Sequence, residues 1–200
     1  FDISGGRVSL RNLIVEWGSD IGAGLDVSNH ALVTLDATDL RYNHGSFGGG
    51  VWNDAGTVIT ATNGSNLILN TATSSGGGGR IWGSYVATSG ADDVYNNCAV
   101  DGGAFSLQRG ILSLNDADLY GNQAAGNTGK GGAIHAVDGS EVTLTSTAYI
   151  GGSGVANANY AYDGAGIYAS ASTVHLNGSG IVITNNQASH YGGGLYLSDA

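Results

Sequence analysis

Three sets of residues in this chain have types and spacings that suit chemistry. Trp52, Trp82, Tyr168 and Tyr196 each follow the apolar residue that closes a short glycine-rich phrase, as in Gly48-Gly49-Gly50-Val51-Trp52. Flat aromatic faces hold apolar ring faces well, so such a set suits the binding of a glycan; equally, it can cover and brace a sheet. Asp39, Asp93 and Asp118, with Asn66 between them in order, each precede the apolar residue of another recurring element, one with Asn three positions on. Oxygen ligands at regular intervals suit Ca²⁺, which takes six to eight of them. Without a cation, stacked carboxylates raise one another's pKa and act as solvated acids that discourage edge-to-edge aggregation. Asp92, Asp93 and Asp118 also offer carboxyl pairs of the kind glycoside hydrolysis needs, about 5–9.5 Å apart, although any stack of acids does the same.

Other catalytic patterns are weaker. Of the Asn-Thr-Asp, Asp-Asp, Gly-His-Gly and Arg-Ile-Lys set of the polygalacturonases, only Asp92-Asp93 matches. Asn43-His44-Gly45 and Arg80-Ile81-Trp82 are near misses in the wrong order, and Arg41, Arg80 and Arg109 are scattered. His30, His44, His135, His175 and His190 fall at unrelated positions, without zinc spacing, and read as surface polar residues. Thr60-Ala61-Thr62 and Thr143-Leu144-Thr145 look like the Thr-x-Thr units of ice-binding solenoids. Their column, running Ser9, Thr34, Thr60, Ala87, Ser113, Thr143 and His175, is irregular. The expectation is therefore a non-enzymatic chain with no cofactor, Ca²⁺ excepted.

What positions these residues is a repeat. A glycine-small-variable-apolar phrase occurs seven times, beginning at Gly22, Gly48, Gly78, Gly102, Gly131, Gly164 and Gly192, at steps of 26, 30, 24, 29, 33 and 28 residues. Self-similarity at a period of 20–50 residues marks a stacked-repeat architecture. The residue after each phrase opens a strand, as in Phe105-Ser106-Leu107 and Ile134-His135-Ala136. A second strand has the form apolar-polar-apolar, as in Val33-Thr34-Leu35 and Val142-Thr143-Leu144. Period-two alternation argues half-buried strand, and no helical stripe persists.

A third element pairs an apolar residue with Asn three positions on: Leu40 and Asn43, Leu67 and Asn70, Val94 and Asn97, Leu119 and Asn122, Ile183 and Asn186. The sixth repeat departs from it with Tyr149 and Gly152, and Ala148 interrupts the acidic column there. Stacked Asn side chains hydrogen-bond up and down as a ladder. Winding the chain into coils superimposes the apolar faces, which hairpins at this period cannot do. The fold class expected is all-β: a right-handed parallel β-helix of about seven coils of 24–33 residues, with three short sheets and an apolar bore. At roughly 4.8 Å per rung the rod would be about 34 Å long.

Composition agrees. Glycine supplies 36 of 200 residues, well above the usual share of about 7%, and there is no proline or methionine. A net charge of −10 with only six Lys and Arg argues against nucleic acid and anionic membranes as partners. No apolar run approaches the roughly 18 residues of a membrane span. The single Cys98 forms no internal disulfide, a usage that fits bacterial extracellular proteins.

Gly131-Gly132-Ala133-Ile134, together with the apolar-x-x-Asn element, resembles the paired motifs of chlamydial polymorphic outer-membrane protein repeats. More generally the chain is similar to bacterial right-handed β-helix surface proteins of the autotransporter-passenger and adhesin kind. The resemblance covers nearly all of residues 1–200, read as one domain. It implies an extracellular or cell-surface adhesin, stalk or fibre subunit, with a polysaccharide-degrading enzyme or glycan-binding module as the alternative. Phe1-Asp2-Ile3 and Leu195-Tyr196-Leu197 both look like uncapped strands. Part of a longer chain, or end-to-end stacking of copies, is the expectation that follows, with glycans or a host surface as further partners.

Overall fold

The computed structural model describes residues 1–88, 92–152 and 157–199, and these wind into a parallel β-solenoid of about seven coils. Neighbouring coils pair in parallel throughout, and no α-helix occurs among the described residues. None is therefore long and apolar enough to cross a membrane. The apolar bore follows from the alternation: Leu25, Leu35, Leu40, Ile59, Leu67, Leu107, Leu112, Leu114 and Leu119 are all completely buried.

The coils have four sheets, not the three expected. The first, of eight strands, runs from Asp2–Ser4 to Leu195–Ser198; the second, of seven, from Arg7–Arg11 to Thr173–Asn177. The third runs from Ile14–Glu16 to Val182–Ile183 and the fourth from Ser19–Asp20 to Gln187–Tyr191. The fourth sheet follows the Asn directly and carries no apolar alternation. Its inner residues, such as Ala124 and Ala161, pack in a separate small cluster with Ala165 of the glycine corner. The glycines make that approach possible. A Cβ on Gly103 would lie 2.5 Å from the backbone nitrogen of Gln123, in the fourth-sheet strand Gln123–Ala124.

The Asn ladder is built, and it is longer than the spacing implied. The side-chain amide of Asn43 donates to Asn70 Oδ1 at 3.0 Å, Asn70 to Asn97 at 3.2 Å and Asn97 to Asn122 at 3.1 Å. Asn122 then donates to Asn159 at 3.1 Å and Asn159 to Asn186 at 2.8 Å. The rung of the sixth repeat is therefore Asn159, not Gly152. Its separation from Asn122 is 37 residues where the neighbouring steps are 25–27, because extra chain follows Ile150. In the same coil Tyr149, not Ala148, pairs with Asp118.

The third coil corrects two further readings. Four consecutive glycines, 76–79, allow two settings of the phrase, and the chain uses the earlier: Gly76 takes the positive φ of the corner (71°), and Gly79 pairs with both Val51 and Phe105. The bore volume that Gly79 leaves is filled by the large ring of Phe105, packed 5.2 Å from the buried ring of Tyr85. Arg80, not Trp82, consequently pairs with Trp52. In the second sheet the residue in register with Thr60 and Ser113 is Val86, not Ala87, since Ala87 turns inward against Ala61.

Candidate functional site

The outward row of the first sheet runs Asp26, Trp52, Arg80, Ser106, His135, Tyr168, Tyr196, each in Cα register with the next. Trp52, Tyr168 and Tyr196 thus share one row, in which Trp52 and Tyr196 are partly exposed while Tyr168, Arg80 and Ser106 are buried among their neighbours. Trp82 stands two residues beyond Arg80, just past the end of the strand Gly79–Ile81, yet its ring lies 6.1 Å from that of Trp52.

A second row lies beside the first. Phe47, Ser75, Asp101, Lys130, Asp163 and Tyr191 are the residues before the positive-φ glycines, linked coil to coil by strand pairing and by the Lys130 N–H donating to Asp101 Oδ1 at 2.9 Å. The corner glycine turns the chain sharply, so this row abuts the first-sheet row. Lys130 Nζ donates to Tyr168 Oη at 3.1 Å and lies 4.7 Å from the ring centroid. That hydrogen bond is the main reason the lysine pKa is raised.

Aromatic packing continues along both rows. His135 packs 5.4 Å from Tyr168, and Tyr168 stacks on Tyr196 at 5.2 Å with planes 10° apart. Tyr191 lies 6.1 Å from Tyr196, and His190 packs against both Tyr191 and Tyr162. Asp163 holds this end in place: its Oδ1 accepts the Tyr191 N–H at 3.0 Å and lies 3.1 Å from His190 Nδ1.

Towards the middle of the rod the face is polar and closed. Arg80 donates to Ser106 Oγ at 2.6 Å and to Gln108 Oε1 at 2.8 Å, and Gln108 donates to Asp138 at 2.7 Å. Burial holds the His135 pKa down at about 4; Asp101 opposes this, and the nearby positive charges of Arg80 and Lys130 reinforce it. His135 therefore stays a neutral imidazole well below pH 6.5, where an ordinary surface histidine takes up its proton.

The acidic column is real but does not converge. The Asn66 amide donates to Asp39 Oδ1 at 2.8 Å, and the Asn66 Oδ1 accepts the Asp93 N–H at 2.8 Å. Asp93 pairs with Asp118, and its pKa is raised by burial first and by Asp118 second. These acids are strung along the third sheet. Among the described residues no three His, Cys, Asp or Glu side chains come together as a metal site. The adjacent stacks, Tyr95 on Tyr120 at 4.9 Å and Trp17 on Tyr42 at 5.2 Å, run between coils and brace the rod as cross-strand pairs do.

Sequence reasoning missed Arg80, Asp101, Lys130 and Asp163 as members of this face. For the last three the available signal was the position before the glycine phrase, which is charged in three coils of a chain that is only 11% charged. Compared with known proteins, the chain matches no family model, no curated protein and no solved structure.

Proposed function

We propose that this chain is a non-enzymatic adhesive β-solenoid, exposed on a cell surface or outside the cell, that binds glycan along its first sheet. The observation that carries the reading is the unbroken outward row from Trp52 to Tyr196, with Trp82, Lys130 and Tyr191 beside it. Along the row a ring, a polar pair and then three rings succeed one another on a rigid, repeating lattice, which suits a linear polymer of rings better than a compact ligand. The resemblance to bacterial surface β-helices supports the setting. Titrating the chain against a panel of linear oligosaccharides, with loss of binding in Tyr168→Ala, tests it. No binding by any member of the panel would end the reading.

The scaffold half of the proposal is continuation of the rod, by further coils or by a second copy. Each sheet ends in a strand with one unpaired edge, and residues such as Phe1, Leu176 and Leu197 are exposed there. Concentration-dependent filaments in electron microscopy would support stacking of copies; dispersed short rods at high concentration would count against it.

One observation favours a second reading, polysaccharide cleavage. Lys130 Nζ donates to Tyr168 Oη at 3.1 Å, a cation held beside a phenol, which suits stabilising negative charge that develops on a substrate. Release of new chain ends from an acidic polysaccharide, abolished in Lys130→Met, would establish it in place of the adhesive reading.

A further inference from the structure

The corner between the first and second sheets differs in length from coil to coil. Asn53 and Val58 are five residues apart, Ile81 and Ser84 three, and Leu107 and Ile111 four, although these end residues pair with one another across the ladders. The short third corner cannot reach as far out as its neighbours. It leaves a notch of ≈ 370 Å³ between the Ala55-Gly56 turn and Arg109, lined by Trp82 and Ile111. An adjoining recess of ≈ 230 Å³ shares Ala55, Trp82 and Arg109 and adds Gln108. Trp82 is 40% exposed there.

Positive charge gathers at this notch in a chain with few cations. Arg109 is exposed on its rim. Arg80 lies behind it, its guanidinium carbon 5.8 Å from the Trp82 ring centroid, and is only 9% exposed. Its two partners, Ser106 and Gln108, are neutral, and its Nε is buried with no hydrogen-bond partner among the described residues. Neither arginine forms an ion pair with a described residue. Burial holds the Arg80 pKa down; Asp101 and Asp138 lie near enough to favour its charge, but neither ion-pairs with it, so an anionic ligand would stabilise it.

We propose that the notch binds a hexuronate residue of a linear acidic polysaccharide. The sugar ring packs on Trp82 and its carboxylate meets Arg109, with Arg80 as a second, fixed positive charge. Guanidinium and carboxylate match as planar partners. The isolated pair of cations suits one carboxylate at a time; a densely charged polyanion would meet the acidic remainder of a chain with net charge −10. Because Trp52 lies 6.1 Å from Trp82, the rest of the polymer has an aromatic path onto the first sheet. This rests on the glycan-binding reading and names its ligand class.

Calorimetric titration with a galacturonate tetrasaccharide and with neutral cellotetraose tests the assignment. The wild-type chain is expected to hold the acidic tetramer at least about tenfold more tightly. Arg109→Gln, at an exposed position, should erase that preference without moving the melting temperature. Trp82→Ala should weaken binding of both tetramers by about tenfold or more. Equal affinity for the two tetramers, or an undiminished preference in Arg109→Gln, would overturn the hexuronate site. If other neutral glycans still bind in a Tyr168-dependent way, the adhesive reading stands while this inference falls. If no glycan binds at all, both fall.

Discussion

Asn97 ties its own coil to the one before it through Asn70. Its Oδ1 accepts both the Asn70 backbone N–H at 2.9 Å and the Asn70 side-chain amide at 3.2 Å, while its own amide donates to Leu67 O at 2.8 Å. The residue is completely buried. Asn97→Ala strands a buried N–H, a side-chain amide and a carbonyl together, for a cost on the order of 3 kcal/mol or more. Asn186, at the partly exposed end of the ladder, should cost less when replaced, because water reaches its partners. Urea denaturation of the two variants checks the order. Equal losses would mean that burial does not set what each rung contributes.

The glycine corner makes a sharper demand at one position than at the next. A Cβ at Gly103 meets the Gln123 backbone, which has no freedom to move aside, whereas Ala104 already carries a buried methyl group. Gly103→Ala should therefore destabilise by about 1–3 kcal/mol or prevent folding, while Ala104→Gly costs about 1 kcal/mol through lost packing and backbone entropy. A fully folded Gly103→Ala with unchanged midpoint would show that the fourth sheet does not press on this corner.

Physical reasons separate what the sequence makes legible from what it hides. Alternation at Val33-Thr34-Leu35 and Val142-Thr143-Leu144 reports directly which side chains face the bore, so the coil and its first three sheets can be read. The fourth sheet hides because Gln123–Ala124 and its neighbours pack on backbone at a glycine corner, which needs small residues and no apolar period. The register of the third coil hides too. Glycines 76–79 are interchangeable in sequence, and only the fit of Phe105 over Gly79 chooses between settings. That choice decides whether Arg80 or Trp82 joins Trp52, so half of the candidate site was visible as tryptophans and the other half was not. Lys130 and Tyr168 are 38 residues apart, and only the turn at Gly131 and one further coil bring them together.

Binding along the first sheet should depend on the tyrosine stack. Tyr168 and Tyr196 lie 5.2 Å apart with nearly parallel planes, and Lys130 sits on the former. Tyr196→Ala and Tyr168→Ala should each weaken oligosaccharide binding by about tenfold, equivalent to roughly 1.4 kcal/mol, with Tyr168→Phe much milder. Replacing Tyr120, on the third sheet, should leave binding unchanged and report only on stability. Quenching of tryptophan emission in a Trp17→Phe background, which leaves Trp52 and Trp82 as the emitters, provides the titration signal. A binding loss in the Tyr120 variant equal to that at Tyr168 would place the ligand elsewhere.

Asp92 gives a stability signature that depends on pH. Its Oδ1 accepts the Ser65 N–H at 2.6 Å, while its buried Oδ2 has no partner among the described residues. Burial lifts its pKa from 3.8 to about 6; the Ser65 hydrogen bond pulls against that, and the charge of Asp93 adds to it. The folded chain therefore holds this proton more tightly than the unfolded chain does. Stability from this group is full below about pH 3.8, declines as pH rises through about 6, and stays reduced above that, by on the order of 1–3 kcal/mol. His135 tilts the opposite way, because its depressed pKa costs stability as pH falls from 6.5 towards about 4. The two effects separate in a difference measurement. Asp92→Asn keeps an acceptor for Ser65 and removes the titration, so its unfolding free energy should exceed that of the wild type near pH 8 and lose that advantage near pH 4. A pH-independent difference would mean that Asp92 is charged in the fold and finds its counterpart elsewhere.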